Sequence, residues 1–534
     1  MSETPETVAE QAAQAAEAAV AATADSGTSL QTIVDAINGV VWSPALIYTC
    51  LAAGLFFSIM TRFAQLRLFK EMIRLLFSGG ASDRGVSSFQ ALAVSLSGRV
   101  GTGNIAGVAA AIGFGGPSAV FWMWVVAFLG ASTAYVESTL AQIYKEEHEG
   151  QYRGGPAFYI EKATGQKWYG ILFATATILA CGVLLPTVQS NAIGNAVDVA
   201  FGSGTMLDTA LGHISSTKVI VGAVVVMILG FIIFGGLKRI AKFAEFVVPF
   251  MALSYIIVAC VVLVLNVDKV PAVFSLIMSD IFSPMAAFGA AIGWGVKRGV
   301  YSNEAGQGTG PHAAAAAEVQ HPAQQGLVQA FSVYIDTLFV CSATAFMILI
   351  TGMYDVMDEN TVKLGFENID YMVRNFPAEM AYVDPNSPAF TQHAIESAFP
   401  GIGKPFVAIA LFFFAFTTIL AYYYIAETNV SYVLRTIKIP GAFFILKVIM
   451  MFAVFYGSVK AATLAWGLGD IGVGLMAWLN IVGIIIIFFI AKPAIKALRD
   501  YEAQRKAGVE EYSFDPEALE IKNADLWEKK KAES

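Results

Sequence analysis

The sequence predicts an all-α polytopic membrane protein of about eleven spanning helices, ten of them arranged as two five-helix halves of opposite sense. Three observations predict this. Of 534 residues, 56% are hydrophobic and 14% charged, where a soluble chain carries about 25% charged residues. Apolar runs long enough to cross a bilayer recur along the whole length. Two of these runs are interrupted by clustered glycines at matching places in the two halves, the pattern of an inverted repeat.

The elements follow in order. Residues 1–28 are rich in Ala, Glu and Gln and contain no Lys or Arg. Signal and transit peptides need basic residues near their start, so this stretch reads as an acidic, flexible tail. The transmembrane domain is expected over 29–500, beginning with an extra helix at 44–61. Repeat one, about 88–265, holds runs at 88–112 (broken), 118–143, 168–190, 218–234 and 245–265. Repeat two, about 275–491, holds runs at 283–300 (broken), 325–350, 405–426, 440–458 and 470–491. Between the extra helix and repeat one, Arg62 to Phe77 alternates cations with Leu, Phe, Met and Ile, and reads as a helix lying on the membrane surface. Residues 501–534 form a charged C-terminal tail.

Basic residues fix the orientation, because Lys and Arg concentrate in cytoplasmic loops. Arg62, Arg67, Lys70, Arg74 and Arg84 follow the extra helix, and Lys145, Arg153, Lys162 and Lys167 follow the 118–143 run. Lys238, Arg239 and Lys242, then Lys297 and Arg298, then Arg435 and Lys438 are assigned to the same side, with Lys492, Lys496 and Arg499 after the last helix. The opposite side is poor in cations; its long segment 351–404 carries eight acids against Lys363, Arg374 and Lys404. The N-terminus is therefore expected outside and the C-terminus in the cytoplasm, in agreement with an odd helix count.

The first interruption, Ser97-Gly98-Arg99-Val100-Gly101-Thr102-Gly103-Asn104, carries the chemistry. A helix in lipid must satisfy its own backbone polar groups. Breaking it frees carbonyls near Ser97 and Val100, which suit Na⁺, and amides at Thr102, Gly103 and Asn104, which suit a carboxylate. The second break is expected at Gly293-Trp294-Gly295, where carbonyls around Ile292, just after Phe288 and Gly289, would accept from an ammonium and Trp294 would limit pocket volume. Gln189 supplies an amide inside an apolar run. Thr417 and Thr418, with the Phe414 carbonyl one turn earlier, complete an oxygen cage with Ser97 and Val100. Such all-oxygen, carboxylate-free ligands suit a hard monovalent cation. Glu137 and Asp336 are acids within apolar segments, and such acids are functional suspects, including as proton relays. Arg99 is a cation beside the break with no partner evident in sequence.

Two motifs carry a family resemblance. Gly115-Gly116-Pro117-Ser118-Ala119-Val120-Phe121-Trp122-Met123-Trp124 and Gly299-Val300-Tyr301-Ser302-Asn303-Glu304-Ala305-Gly306 resemble the hallmarks of the sodium:alanine symporters, with Ser118 where the family pattern has Gly or Ala. The similarity runs from about 44 to 500. It implies a leucine-transporter-like fold with one additional N-terminal helix and Na⁺-coupled uptake of alanine or glycine. It also implies a substrate site at Thr102, Gly103, Asn104, Gln189, Gly293 and Trp294, to which the second break adds Phe288 and Ile292 as candidates. The implied sodium site is Ser97, Val100, Phe414, Thr417 and Thr418. Gly289 stands where the wider fold has a second-sodium hydroxyl, which implies one Na⁺ per cycle.

Other classes fare worse. A formal net charge of -8 excludes nucleic acid as an obvious partner. Four scattered cysteines and five histidines show no ligand spacing, so an embedded metalloenzyme is not expected. The expected partners are a small neutral amino acid and the lipid of a plasma (inner) membrane, with no obligate protein partner. Proton coupling through Asp336 or Glu137, and an amino-acid-gated channel or sensor, are the alternatives.

Overall fold

The computed structural model describes residues 30–78, 80–82, 84–148, 150–209, 212–279, 281, 289–357, 371–376 and 383–533. The 1–28 tail and Phe288 lie outside the described residues. Among these residues, eight helices are long and apolar enough to cross a membrane, or nine if the pair α1 (Leu30–Val41) and α2 (Pro44–Met60), bent by 41°, forms one span. Short α3 (Ala64–Arg67) and α4 (Phe69–Leu76) follow, then α5 (Ser88–Arg99) and α6 (Ala106–Gly115). Next come the long α7 (Ala119–Ile143), short α8 (Pro156–Thr164), and α9 (Lys167–Phe201), α10 (Ser216–Ile233) and α11 (Gly236–Leu265), then α12 (Val270–Ser279). The second part begins with α13 (Ala290–Asn303) and α14 (Gly310–Ala316), followed by α15 (Pro322–Thr351) and α16 (Ala389–Ala398). It ends with α17 (Gly403–Leu434), α18 (Ala442–Val459), α19 (Ala462–Ala491), α20 (Pro493–Lys506) and α21 (Asp525–Glu533). Among the described residues, three two-stranded antiparallel pairs sit in connections.

The helices too short to span alone are the informative ones. The α5 helix starts with a capping box, in which Gln90 N donates to Ser87 Oγ (3.1 Å) and Ser87 N to Gln90 Oε1 (3.1 Å). It stops at Arg99. A single 3-10 turn, Thr102–Asn104, separates it from α6. The second interruption differs from the sequence expectation. The α13 helix is unbroken through Gly293-Trp294-Gly295, and the chain instead leaves the helix at Glu304 and resumes at Gly310. Glu304, Gly306 and Gly308 there adopt positive φ (56°, 82° and 85°). The α13 glycines have a packing role, because small residues let membrane helices approach closely. A Cβ on Gly295 would strike the Ala119 carbonyl and Trp122 of α7, and one on Gly299 would strike Val126. The two interrupted pairs cross: α6 packs on α13, and α5 on α14.

Two long helices change pitch midway. The α9 helix holds a π-helical stretch at Ala180–Leu184, just before Pro186. Proline lacks an N–H and cannot complete the ladder, and the wider turn accommodates it. The α15 helix is π-helical over Tyr334–Cys341.

The end bearing the C-terminal helices is tied shut. The strand-like entry to α5 pairs with the exit from α14, with Val86 N donating to Ala316 O (3.0 Å) and Glu318 N to Val86 O (2.9 Å). Gln142 Nε2 (3.0 Å) and Lys145 Nζ (2.8 Å) both donate to Ala317 O. Residues 501–533 pack over this end as ordered structure. Trp527 is buried and donates to Gln142 O (2.8 Å), and Lys530 pairs with Glu318 (2.7 Å). The expected surface helix divides into α3 and α4, and one face of α4 is buried through Glu71, Met72 and Leu75. Burial opposes the charge on Glu71, but Arg74, the Tyr501 hydroxyl and Arg505 outweigh it and hold the carboxyl below its ordinary range.

Trp527→Ala should destabilise the purified protein by about 3 kcal/mol, as for truncation of a buried aromatic. A thermal melt monitored by size-exclusion chromatography should show the loss; an unchanged midpoint would mean that the C-terminal segment does not support this end.

Candidate functional site

The groups released at the first interruption find specific partners. On its carbonyl side, Thr418 Oγ1 of α17 donates to Ser97 O (2.7 Å), and Phe414 O lies 2.9 Å from the same hydroxyl. Thr417 points back along its own helix, donating to Phe413 O (2.9 Å) and Phe414 O (3.0 Å). Val100 is fully buried beside them. Ser97, Phe414 and Thr418 thus meet, while Thr417 satisfies its own preceding turn.

On the amide side, Gln189 Oε1 accepts from Thr102 N (3.0 Å) and Thr102 Oγ1 (2.7 Å). The glutamine oxygen occupies the donors that a carboxylate would use. Gly103 packs against Tyr301 and Ser302 of α13, and a Cβ there would press on the Ser302 Cα at 3.1 Å. Glycine is needed at 101 for the same reason, since a Cβ would collide with Thr418 Oγ1 and lie 3.1 Å from Gln189 Oε1. The Asn104 side chain works at both ends: its Oδ1 accepts from Gly101 N (2.8 Å), and its Nδ2 donates to Asp336 Oδ1 (2.6 Å).

Asp336 links both halves. Besides Asn104, it accepts from Ser302 Oγ of α13 (3.1 and 2.9 Å) and from Thr337 Oγ1 (2.7 Å). Glu137 serves the second interruption, accepting from Gly306 N (3.3 Å) and from Asn480 Nδ2 (2.7 Å), which also donates to Gly306 O (2.9 Å). Arg99 donates through Nη1 to Gln329 O (3.1 Å) and to Ser332 Oγ.

Above the interruptions, at the end opposite the C-terminal helices, a cavity of about 650 Å³ opens under α1. Gly293 and Trp294 line it, with Trp294 stacked on Phe114 of α6 at 4.6 Å. The structure therefore puts both residues in this cavity, more than a helical turn before the second interruption; Ile292 is half-buried beside them. Lys297 and Arg298 also belong here, not to a loop at the basic end. Both pair with one acid of α19, Asp470, through Lys297 Nζ (2.6 Å) and Arg298 Nη1 (2.8 Å). The Arg298 guanidinium also lies 4.2 Å from the Trp466 ring centre. This ion triad floors the cavity. Trp42 Nε1 donating to Asp470 O (2.8 Å) and Asn38 Nδ2 donating to Gly467 O (2.9 Å) pin the start of the chain across it.

Sequence reasoning missed Glu304 and Thr309 of the second interruption, Asn480, and the Arg298–Asp470 pair. A signal for the first was present. Glu304 stands in an apolar segment followed by Gly306-Gln307-Gly308, a denser break than Gly293-Trp294-Gly295.

A multi-pass bundle with two interrupted helices wrapped in buried hydrogen bonds has the build of a membrane transporter. The sodium:alanine symporter family model matches residues 27–516. The chain is 57% identical over 500 residues to the putative sodium/proton-dependent alanine carrier protein YrbD of Bacillus subtilis, covering 93% of this chain and 97% of that one. It is 39% identical over 485 residues to the probable sodium/glutamine symporter GlnT of the same organism (90% and 92% covered). To the sodium/alanine symporter AgcS of Methanococcus maripaludis it is 33% identical over 481 residues (88% and 97% covered). The chain belongs to the sodium:alanine symporter family, whose members are transporters and not enzymes.

Asp470→Ala should destabilise the protein by about 3–5 kcal/mol, because it strands the buried Arg298, and the half-buried Lys297 beside it, without their paired acid. Thermal unfolding in detergent should reveal it, with Asp470→Glu closer to the parent. Equal melting of Asp470→Ala and the parent would show that the triad does not hold this region.

Proposed function

We propose that the chain is a sodium-coupled symporter that imports a small neutral amino acid, alanine and/or glycine, by alternating access. The observation that carries this reading is the first interruption. Its carbonyl end meets the Thr418 hydroxyl and its amide end meets the Gln189 oxygen, so a cation acceptor and an anion donor lie a few residues apart. Ser97, Val100, Phe414, Thr417 and Thr418 are the proposed sodium ligands, with Thr417 turning toward the ion when it binds. Thr102, Gly103, Asn104 and Gln189 are the proposed carboxylate site. A substrate carboxylate replaces Gln189 Oε1 on the Thr102 donors, and Gln189 moves to the ligand. Phe288, Ile292, Gly293 and Trp294 would line the approach.

The fold proposed for this cycle is the leucine-transporter-like one. An extra first helix, α2, precedes two five-helix repeats, and the interrupted helices are α5–α6 and α13–α14. The protein is proposed to lie in the plasma (inner) membrane with its C-terminus cytoplasmic. The tied end is then the closed inner gate and the large cavity the outer vestibule.

The names of the relatives support alanine as the substrate class, and they name both sodium and protons as coupling ions. The glutamine symporter indicates that side-chain selection is separable from recognition of the amino and carboxyl groups. Coupling needs no covalent step. Sodium orders the interruption and raises amino-acid affinity, and by linkage the amino acid raises sodium affinity equally.

In reconstituted vesicles, Thr418→Ala should raise the sodium concentration for half-maximal alanine uptake by roughly tenfold or more, equivalent to about 1.4 kcal/mol. An unchanged sodium activation curve defeats the assignment of the ion site. Gln189→Ala should raise the alanine KM with less effect on sodium activation, measured by labelled-alanine uptake at saturating sodium. Competition by D- and L-alanine, glycine, serine and glutamine in the same assay tests the substrate class.

A further inference from the structure

Three acids are buried around the interruptions, and they are not equivalent. Both oxygens of Asp336 accept hydrogen bonds, from Asn104, Ser302 and Thr337. Both oxygens of Glu137 do as well, from Gly306 N and Asn480. Glu304 differs. Its Oε2 accepts from Thr309 Oγ1 (2.8 Å) and the Tyr422 hydroxyl faces the carboxylate as a further donor, but Oε1 has no partner at hydrogen-bonding distance and angle, although the residue is only 1% exposed.

Its setting is specific. The carboxylate lies against the bare Cα of Gly98, where a methyl group would come within 3.2 Å of Oε2. Glycine at 98 therefore lets the acid approach the last turn of α5, next to Ser97, whose carbonyl meets Thr418. Beside it is a cavity of about 10 Å³ lined by Glu304, Gly98, Thr309 and Ser95, with Ala421 and Ile425 among its apolar walls. Ser95 Oγ is also buried without a partner. The space is near the threshold of roughly 10–15 Å³ for a single water-sized occupant. A buried carboxylate oxygen without a hydrogen bond is costly, and the one cation facing it, Arg99, is shared with Glu137 and Asp336 and makes no hydrogen bond to it. Arg99 faces it from α5, yet Arg99 Nη1 is engaged by Gln329 and Ser332, and its Nε and Nη2 make no hydrogen bond. The other ionisable groups facing Glu304 are Glu137 of α7, Asp336 of α15, Tyr422 of α17, Tyr301 of α13 and Cys181 of α9. None of these is a cation.

We propose that Glu304 is a second cation-coupling site, distinct from the site at Ser97 and Thr418, and that its cation is a proton taken at Oε1. The inference rests on the symporter reading above. The side-chain oxygens of Glu304, Ser95 and Thr309, set around a space of about 10 Å³ whose other walls are largely apolar, are too few to replace the hydration shell of a sodium ion. A proton needs one oxygen lone pair, and Ser95 Oγ can accept from the new O–H. That bond forms as a water-borne proton is taken up at one face and breaks as the proton returns to water at the other, with no electron transfer. Neutralising a carboxylate beside the carbonyl end of α5 weakens the local attraction for a cation at Ser97, so the two sites sense each other.

The test uses purified full-length protein in liposomes with the pH dye pyranine trapped inside, equal sodium on both sides and labelled alanine outside. Wild-type alanine entry should acidify the lumen. Glu304→Gln should lower the acidification rate per alanine by at least roughly tenfold and flatten the pH profile of uptake, with partial recovery in Glu304→Asp. Ser95→Ala, a milder change, should shift the pH profile even if Glu304→Gln does not fold. Acidification that persists in Glu304→Gln, or an unmoved profile in Ser95→Ala, overturns the proposal. So does a parallel ²²Na⁺ flux of two ions per alanine without acidification, which would give the site to sodium. Wild-type alanine uptake without acidification counts against Glu304 alone. No alanine uptake under any cation gradient counts against the symporter reading itself.

Discussion

Much of this structure follows from one constraint: where a helix is cut inside a bundle, water does not reach the freed backbone groups, so side chains must. Buried polar residues from several helices supply those side chains at the two interruptions. Asn104 takes the amide of Gly101, Gln189 that of Thr102 and Glu137 that of Gly306, while Asn480 donates to Gly306 O and Thr418 to Ser97 O. These residues come from α7, α9, α17 and α19 as well as from the interrupted helices. The polar core therefore joins the elements, and a change in one interruption is transmitted through hydrogen bonds that have no solvent to replace them.

Asp336 makes that transmission explicit. Its carboxylate joins Asn104 of the first interrupted pair to Ser302, two residues before the second interruption. The π-helical turn around it is a frequent mark of functional sites. On the proposed cycle, ligand binding at Thr102 and ion binding at Ser97 meet in the same short turn, and Asp336 ties that turn to α13. Coupling of this kind needs two arrangements of one connected network, and Gln189, which can hold either the Thr102 donors or a ligand, supplies a candidate for the switch.

The sequence was most legible where a single physical cause dominated. Apolar length located the long helices, and the density of glycine and small polar residues located the first interruption to within a residue or two. It misled where one residue type serves two ends. Glycines at 293 and 295 look like a break, yet the helix runs through them: Gly293 opens on the cavity, while Gly295, with Gly299, clears a face for α7; Gly306 and Gly308, with positive φ, mark the second interruption. Lys297 and Arg298 counted as basic-end loop residues because their counter-charge, Asp470, lies 172 residues away. The π-helical stretches and the free oxygen of Glu304 depend on which helices meet, and no local pattern encodes that.

The ion triad under α1 has a kinetic meaning. One acid, Asp470, serves two cations, so the buried floor of the cavity carries a surplus positive charge, while Asp35 among its lining residues is exposed. Asp35 acts electrostatically on Lys297 across the cavity. On the proposed cycle a neutral zwitterion gains nothing from net charge, but its dipole would turn carboxylate-first on entry, the orientation in which it would meet backbone amides below. Orientation of this kind belongs to the encounter rate more than to affinity, and dissolved salt blunts it at the exposed mouth before it does so at the sheltered floor.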